Sequence, residues 1–530
     1  MTYRALLLTG MLFLAACVPT RPNQMGNGSM MGGNQGGMMQ GSFLPARDKD
    51  VDTLPEAKPM SILEVENGDT ITLNPELVRA NIDGEEFAMY AYNGQFPGPT
   101  LKVEQGSTFT VNVTNNIDVP TTVHWHGIRL ENKFDGAEGV TQKAIQPGDS
   151  FTYTVKVPDE GMFWYHLHVR EDLQQDLGLY GNLWITPKDA IAYSLVDQEE
   201  VFMLDDMLIE GGLPVPYGER EADHALMGRF GNTMFVNGNS EYALAVPRGT
   251  TVRFYLTNAA NTRTFNVRFG DAQMKLVGGD AGRAEREEFV DSVILSPSER
   301  AIVEVQFAEA KAYRIESVSP ERTWLLGTVT AGGGASAQDS FASLKENADV
   351  EADIAAYRPY FDKPVDKTIH LSVESMMAGM MQGGMQHGGT SMQEESGIEW
   401  EDPMPHQNVM AVKGNTQWKL IDEASAKENM KIDYSFKVGD KVKIRLVNDE
   451  ESDGSDHPMQ HPIHFHGQRF LVLAVDGELN ENLVWKDTVL VEKGQSVDIL
   501  LDVTNPGDWM FHCHIAEHLS NGMMGLFKVE

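Results

Sequence analysis

Apolar residues recur at every second position after three widely spaced glycines. Gly106 is followed by Phe109, Val111, Val113 and then Asn115. Gly249 is followed by Val252, Phe254, Leu256 and Asn258, and Gly439 by Val442, Ile444, Leu446 and Asn448. Alternation at period two, with a glycine turn before it and Asn after it, describes a half-buried strand. Further strands follow each copy, at Phe151-Tyr153-Val155, from Ile302 onward, and at Val497-Ile499-Leu501. Long helical periodicity is scarce. Copies this far apart predict three homologous all-β domains, each a sandwich or barrel, and not a short-period solenoid.

The boundaries follow from the copies and from composition. Residues 56–190, 191–345 and 346–530 form the three domains. A Gly/Met/Gln-rich insertion at 376–397 lies within the third. Residues 17–55 read as a flexible Met/Gly-rich tether. Before it, Arg4 precedes an apolar run, Ala5 to Ala16, too short to anchor in a bilayer but suited to an export signal. That run ends Leu14-Ala15-Ala16-Cys17, which resembles a bacterial lipobox, so 1–16 is expected to be removed and Cys17 lipidated. The expected location is the cell envelope, on the periplasmic face, with the membrane reached through that lipid alone.

Composition narrows the partners. Lys+Arg 42 against Asp+Glu 77 leaves a net charge of -35. Such a surface repels phosphate backbones and argues against a nucleic-acid partner. Only Cys17 and Cys513 are present, so no disulfide framework exists.

Histidine carries the chemistry. Ten of the 15 fall in four clusters: His124-Trp125-His126, His166-Leu167-His168, His461 with His464-Phe465-His466, and His512-Cys513-His514 with His518. Random placement would give roughly 0.4 His-x-His triplets where this chain has four. On a strand, residues i and i+2 face the same way, so each triplet aims two imidazoles at one point. Trp125, Leu167 and Phe465 then face apolar packing, and Cys513 faces a second metal. The middle domain is a control: Val267-Arg268-Phe269-Gly270 stands at the position of His124-Trp125-His126-Gly127 and carries no ligand, so this domain reads as a spacer. Domains one and three are expected to share one cluster, bringing the two ends of the chain together.

Imidazole and thiolate together suit Zn, Cu or Fe. Two His, one Cys and a weak axial Met form the blue-copper set, supplied here by His461, Cys513, His518 and Met523. Eight further imidazoles beside that set favour copper over zinc.

With these four signatures unbroken, the sequence resembles the three-domain multicopper oxidases, over most of residues 60–530, and is most similar to the bacterial laccase-like and copper-tolerance members. The resemblance implies three tandem cupredoxin-like Greek-key domains and four coppers. It implies His461, Cys513, His518 and Met523 at type 1 copper, and His124 and His464 at type 2. It implies His126, His166, His168, His466, His512 and His514 at the type 3 pair. The implied reaction couples four one-electron oxidations to the reduction of O2 to water, with His512-Cys513-His514 as the electron path. Asp135, eight residues past Gly127, resembles the family's acidic position and is expected to supply protons. Related oxidases often carry a carboxylate directly after the type 1 His; here Leu519 follows His518, and Glu517 reads as a helix-surface residue.

Methionine points to the donor. Of 28 Met, five lie in 25–39 and six in 376–392, in glycine-rich stretches unsuited to a core. Thioethers select Cu(I). In copper-tolerance relatives a Met-rich insertion delivers Cu(I), so Met376, Met377, Met380, Met381 and Met385 are expected substrate-copper contacts, with Met404, His406 and Met459 as further candidates. The reading is a monomeric cuprous oxidase. Its rivals are a ferroxidase, a phenol oxidase and a non-catalytic copper-sequestering lipoprotein.

Overall fold

The computed structural model describes residues 42–46, 50–335, 341–375, 397–448 and 459–530. The export signal, Cys17, most of the tether and Met376 to Met385 lie outside the described residues. No helix among those described is long and apolar enough to cross a membrane.

Strands dominate, in three successive groups of sheets. The first group contains a five-stranded sheet (Ile62–Val65, Thr100–Glu104, Tyr180–Thr186, Gly161–His166, His124–His126) and a three-stranded one (Thr70–Thr72, Thr108–Thr114, Ser150–Lys156). The second packs a six-stranded sheet and a five-stranded sheet built from residues between 198 and 335. The third repeats the plan between Lys367 and Val529. The chain therefore has three tandem all-β domains, as the repeats predict, and they have the cupredoxin-like fold that the resemblance implies.

The repeats are physically equivalent. Gly106, Gly249 and Gly439 all take a positive φ of 78–102°, which a side chain would strain. Each donates its backbone N–H to a carbonyl across the turn, on Val157, Phe307 and Val503. At the far end, Asn115 donates to the carbonyls of Val119 and Ile145. Asn258 does the same to Arg263 and Leu295, and Asn448 to Met459 and Val491. The Asn side chain thus satisfies carbonyls that a turn leaves unpaired.

One repeat differs in burial. The Thr108–Thr114 strand alternates, with Phe109, Val111 and Val113 buried. Its counterpart Thr250–Asn258 is buried at every residue. The second face of that middle strand packs against the first domain, where Thr257 Oγ1 donates to Asn182 and the rings of Tyr255 and Trp184 lie 4.8 Å apart.

Two strand pairs set up the site. His124–His126 runs antiparallel to Gly161–His166 with His124 opposite His166. His461–Phe465 runs antiparallel to Gly507–Cys513 with His464 opposite His512. The intervening Trp125 packs on Phe109, Tyr153 and Tyr165, and Phe465 stacks on Phe511 at 5.4 Å.

Candidate metal centre

Eight imidazoles from the two ends of the chain converge. The ring centroids of His126 and His464 lie 3.7 Å apart and those of His124 and His466 4.1 Å. His168 and His512 are 5.1 Å apart, and His166 and His514 5.0 Å. All eight are buried.

Each ring has an outer nitrogen and an inner one, and seven outer nitrogens have fixed partners. Four meet main-chain carbonyls: His124 with Asp135 (2.7 Å), His166 with Leu167 (2.8 Å), His464 with Asp487 (2.8 Å) and His512 with Cys513 (2.8 Å). Three meet carboxylates: His466 Nδ1 with Asp135 Oδ2 (3.0 Å), His126 Nε2 with Asp487 Oδ1 (3.0 Å) and His168 Nδ1 with Glu171 Oε1 (2.7 Å). An outer partner selects the tautomer and leaves the inner nitrogen as a lone-pair donor.

The inner atoms identify the ligand chemistry. Nε2 of His124, His166, His168, His464 and His514, and Nδ1 of His126, are buried with no hydrogen-bond partner. Nε2 of His466 and of His512 face each other at 3.0 Å. Burial, followed by the neighbouring imidazoles, holds His126, His464 and His512 well below the usual histidine range, and burial brings His466 down to about 3. Six orphaned inner nitrogens and one facing pair in a buried core are costly unless a cation binds there. Triads of ligand atoms within 4.8 Å of one another, such as His124-His464-His466 and His168-His466-His512, fit that cation set.

A second set sits on the other face of the same strand. Cys513 Sγ is 3.5 Å from His461 Nδ1 and 3.8 Å from His518 Nδ1. Burial pushes the Cys513 thiol up and brings His461 down to about 3. A cation binding there displaces the thiol proton and takes the imidazole lone pairs. Met523 lies in the same buried cluster as Cys513, whereas Met524 packs toward Ala137, Met510 and Leu519. The backbone joins the two sets directly through His512-Cys513-His514.

The model matching residues 74–190, that matching 197–331 and that matching 364–530 are each described as multicopper oxidase. This chain belongs to the multicopper oxidases. It is similar to a multicopper oxidase of Staphylococcus epidermidis, 26% identical over 83% of both chains. It is also similar to copper resistance protein A of Escherichia coli, 24% identical over 85% of this chain and 91% of that one. Among solved structures, a Pseudomonas thermotolerans multicopper oxidase superposes with a TM-score of 0.64 at 25% identity, over 88% of this chain and all of the other. The multicopper oxidases are copper-dependent oxidoreductases that use O2, and the buried donor sets of this one suit that metal.

Several expectations are refined in this oxidase. Asp135 is buried between His124 and His466. Burial raises its carboxyl, but the two imidazoles outweigh that and hold it well below the usual range. Glu517 does not lie on a helix surface. It is buried, accepting from Thr262 Oγ1 (3.0 Å) and Asn261 Nδ2 (3.3 Å), and burial with Asp172 nearby pushes it up to about 8. Met404 and Met459 belong to the third-domain core, and His406 is exposed.

The middle domain is more than a spacer. Ala225, Leu226 and Met227 enter the core of domain three, and Trp418 donates to the Ala225 carbonyl at 2.7 Å while stacking on His518 at 4.0 Å. Arg300, fully buried, grips Asp487 behind His126. Asp487, Glu171 and Arg300 were not found by sequence reasoning. Glu171 alone had a signal, lying three residues past His168.

Proposed function

We propose that this multicopper oxidase oxidises Cu(I) to Cu(II) in copper tolerance, as an envelope lipoprotein and a monomer. His461, Cys513, His518 and Met523 hold the type 1 copper, His124 and His464 the type 2, and His126, His166, His168, His466, His512 and His514 the type 3 pair. Bound copper supplies the one-electron redox steps that carry O2 to water.

The chain's own groups do the rest. Cys513 is the covalent link between its own site and His512 and His514. The outer partners hold seven of the eight cluster imidazoles in one tautomer, and Trp125 and Phe465 fill the apolar side of their strands. Asp135, an ionised carboxylate against His466 and His124, is the group that would take up a proton and pass it inward.

The observation that carries the donor assignment is the cover over the type 1 set. His461 and His518 are fully buried and their Nε2 atoms face no partner. Trp418 lies against both rings, at 4.8 and 4.0 Å, and the Ala225–Met227 segment closes over it. An aromatic donor has no direct access to an imidazole edge. Ser375, the last described residue before the sequence stretch holding Met376, Met377, Met380, Met381 and Met385, pairs with Thr416, two positions from Trp418. After that stretch, Glu399 bonds Gln460, next to His461. Soft thioethers placed in sequence between these two points suit Cu(I). The strongly acidic composition suits a cationic donor, and copper resistance protein A is among the relatives.

Oxygen uptake by copper-loaded protein with Cu(I), Fe(II) and a phenol, with and without residues 376–392, tests this. Deletion is expected to cut Cu(I) turnover and to spare phenol turnover. Unchanged Cu(I) turnover defeats the assignment. Cys17→Ser is expected to move the protein from the membrane fraction to the soluble one; retention in the membrane defeats the lipid anchor.

A further inference from the structure

Among the described residues, three carboxylates touch the cluster imidazoles. Asp135 and Asp487 each sit between elements that the cluster itself draws together. Glu171 is different: it follows its own histidine by three residues, and a local device aims it. Its side chain is largely buried, with Oε1 2.7 Å from His168 Nδ1.

The device is Arg170. This residue takes φ 52 and ψ 58, a left-handed conformation that is unfavourable for a residue with a side chain. It reverses the chain between His168 and the short Glu171–Gln174 helix, so that Glu171 returns to the ring just passed. The guanidinium holds the turn. Nε and Nη2 grip both oxygens of Asp172 at 2.8 Å, Nη2 donates to the Gly218 carbonyl at 2.7 Å, and Nη1 to the Glu219 carbonyl at 3.2 Å. Arg170 thereby ties the turn to the middle domain.

We propose that Glu171 is a positioning residue for the oxygen-reducing cluster. It fixes the His168 ring with Nε2 turned toward His466 and His512, and the clamped left-handed turn at Arg170 holds it there. The proposal rests on His168 being a cluster ligand. A carboxylate in place of a carbonyl also strengthens the imidazole as a donor, and removing such partners typically costs 10–100-fold in metal affinity.

The test uses the full, copper-loaded chain with Glu171→Ala, Glu171→Gln and Arg170→Gly. Copper per chain, spin-visible copper and the blue absorption of the Cys513 site are followed against rising chelator. Glu171→Ala is expected to release cluster copper at about 10-fold lower chelator or less. Spin-visible copper should rise as the coupled pair breaks, while the blue absorption holds. Glu171→Gln, whose amide oxygen still accepts from Nδ1–H, should recover most of the retention. Arg170→Gly keeps the backbone conformation but loses the clamp, and should shift the same way by a smaller factor. A wild-type release curve and spin count in Glu171→Ala overturns the proposal. So does parallel loss of cluster copper and blue absorption in Ala and Gln alike, the mark of general unfolding. If Glu171→Ala does not fold, an unshifted Arg170→Gly decides against the proposal in its place. Wild-type protein that holds copper only at the Cys513 site would instead remove the ligand assignment of His168.

Discussion

Asp487 Oδ1 lies 3.0 Å from His126 Nε2, joining the third domain to the first across 361 positions of sequence. Arg300 of the middle domain holds the same carboxylate from behind, so all three domains meet at one ring. Asp487→Ala is expected to lower cluster copper and oxygen turnover at least 10-fold. The blue absorption of the Cys513 site should remain. Metal analysis with a visible spectrum separates the two sites; loss of both together would contradict this role.

Arg300 is expected to be structural. Removing one partner of a buried ion pair leaves the other uncompensated and costs about 3–5 kcal/mol. Arg300→Met should therefore lower the thermal midpoint of copper-free protein clearly. A scan by circular dichroism measures it, and an unchanged midpoint would show the pair to be dispensable.

Trp418 lies against the rings of both His461 and His518. Trp418→Ala should uncover the His518 ring face and raise phenol turnover several-fold, with Cu(I) turnover unchanged or reduced. Steady-state oxygen uptake with both donors reads the ratio. A ratio that does not move would mean that aromatic donors are kept out elsewhere.

Asp176, which is not among the metal-ligand candidates, gives a pH signature of its own. Burial pushes its carboxyl up to about 7, against Arg229 and the Tyr217 hydroxyl, which pull it down. The folded state thus keeps a proton that the unfolded chain has released. The associated stability is fully present below about pH 4 and is lost as pH rises through 7, at most ~4 kcal/mol. Asp176→Asn, which still accepts from Tyr217, should flatten the fall in thermal midpoint between pH 4 and 7. An unchanged slope would mean that Asp176 is ionised in the folded protein.

The three domains and the ligand triplets were legible because strands have period two. Phe109, Val111 and Val113 point one way for the same reason that His124 and His126 do. The empty Val267–Phe269 strand could be read as a ligand-free copy by counting from Asn258. Docking between domains has no such period. Glu517 looked exposed because its five-residue helix is too short to show a face, and Asn261 and Thr262, which bury it, lie more than 250 positions away. Asp487, Arg300 and the Ala225–Met227 cover were hidden for the same reason.

The convergence of His124, His126, His166 and His168 with His464, His466, His512 and His514 makes oxygen chemistry conditional on a finished molecule. During synthesis the first four histidines emerge hundreds of residues before the last four, so no partial chain can assemble the oxygen-reducing cluster. A third domain left undocked also lacks the Ala225–Met227 segment, which completes its core beside Trp418 and the His461-Cys513-His518 set. Both buried donor sets thus depend on the docking of the domains.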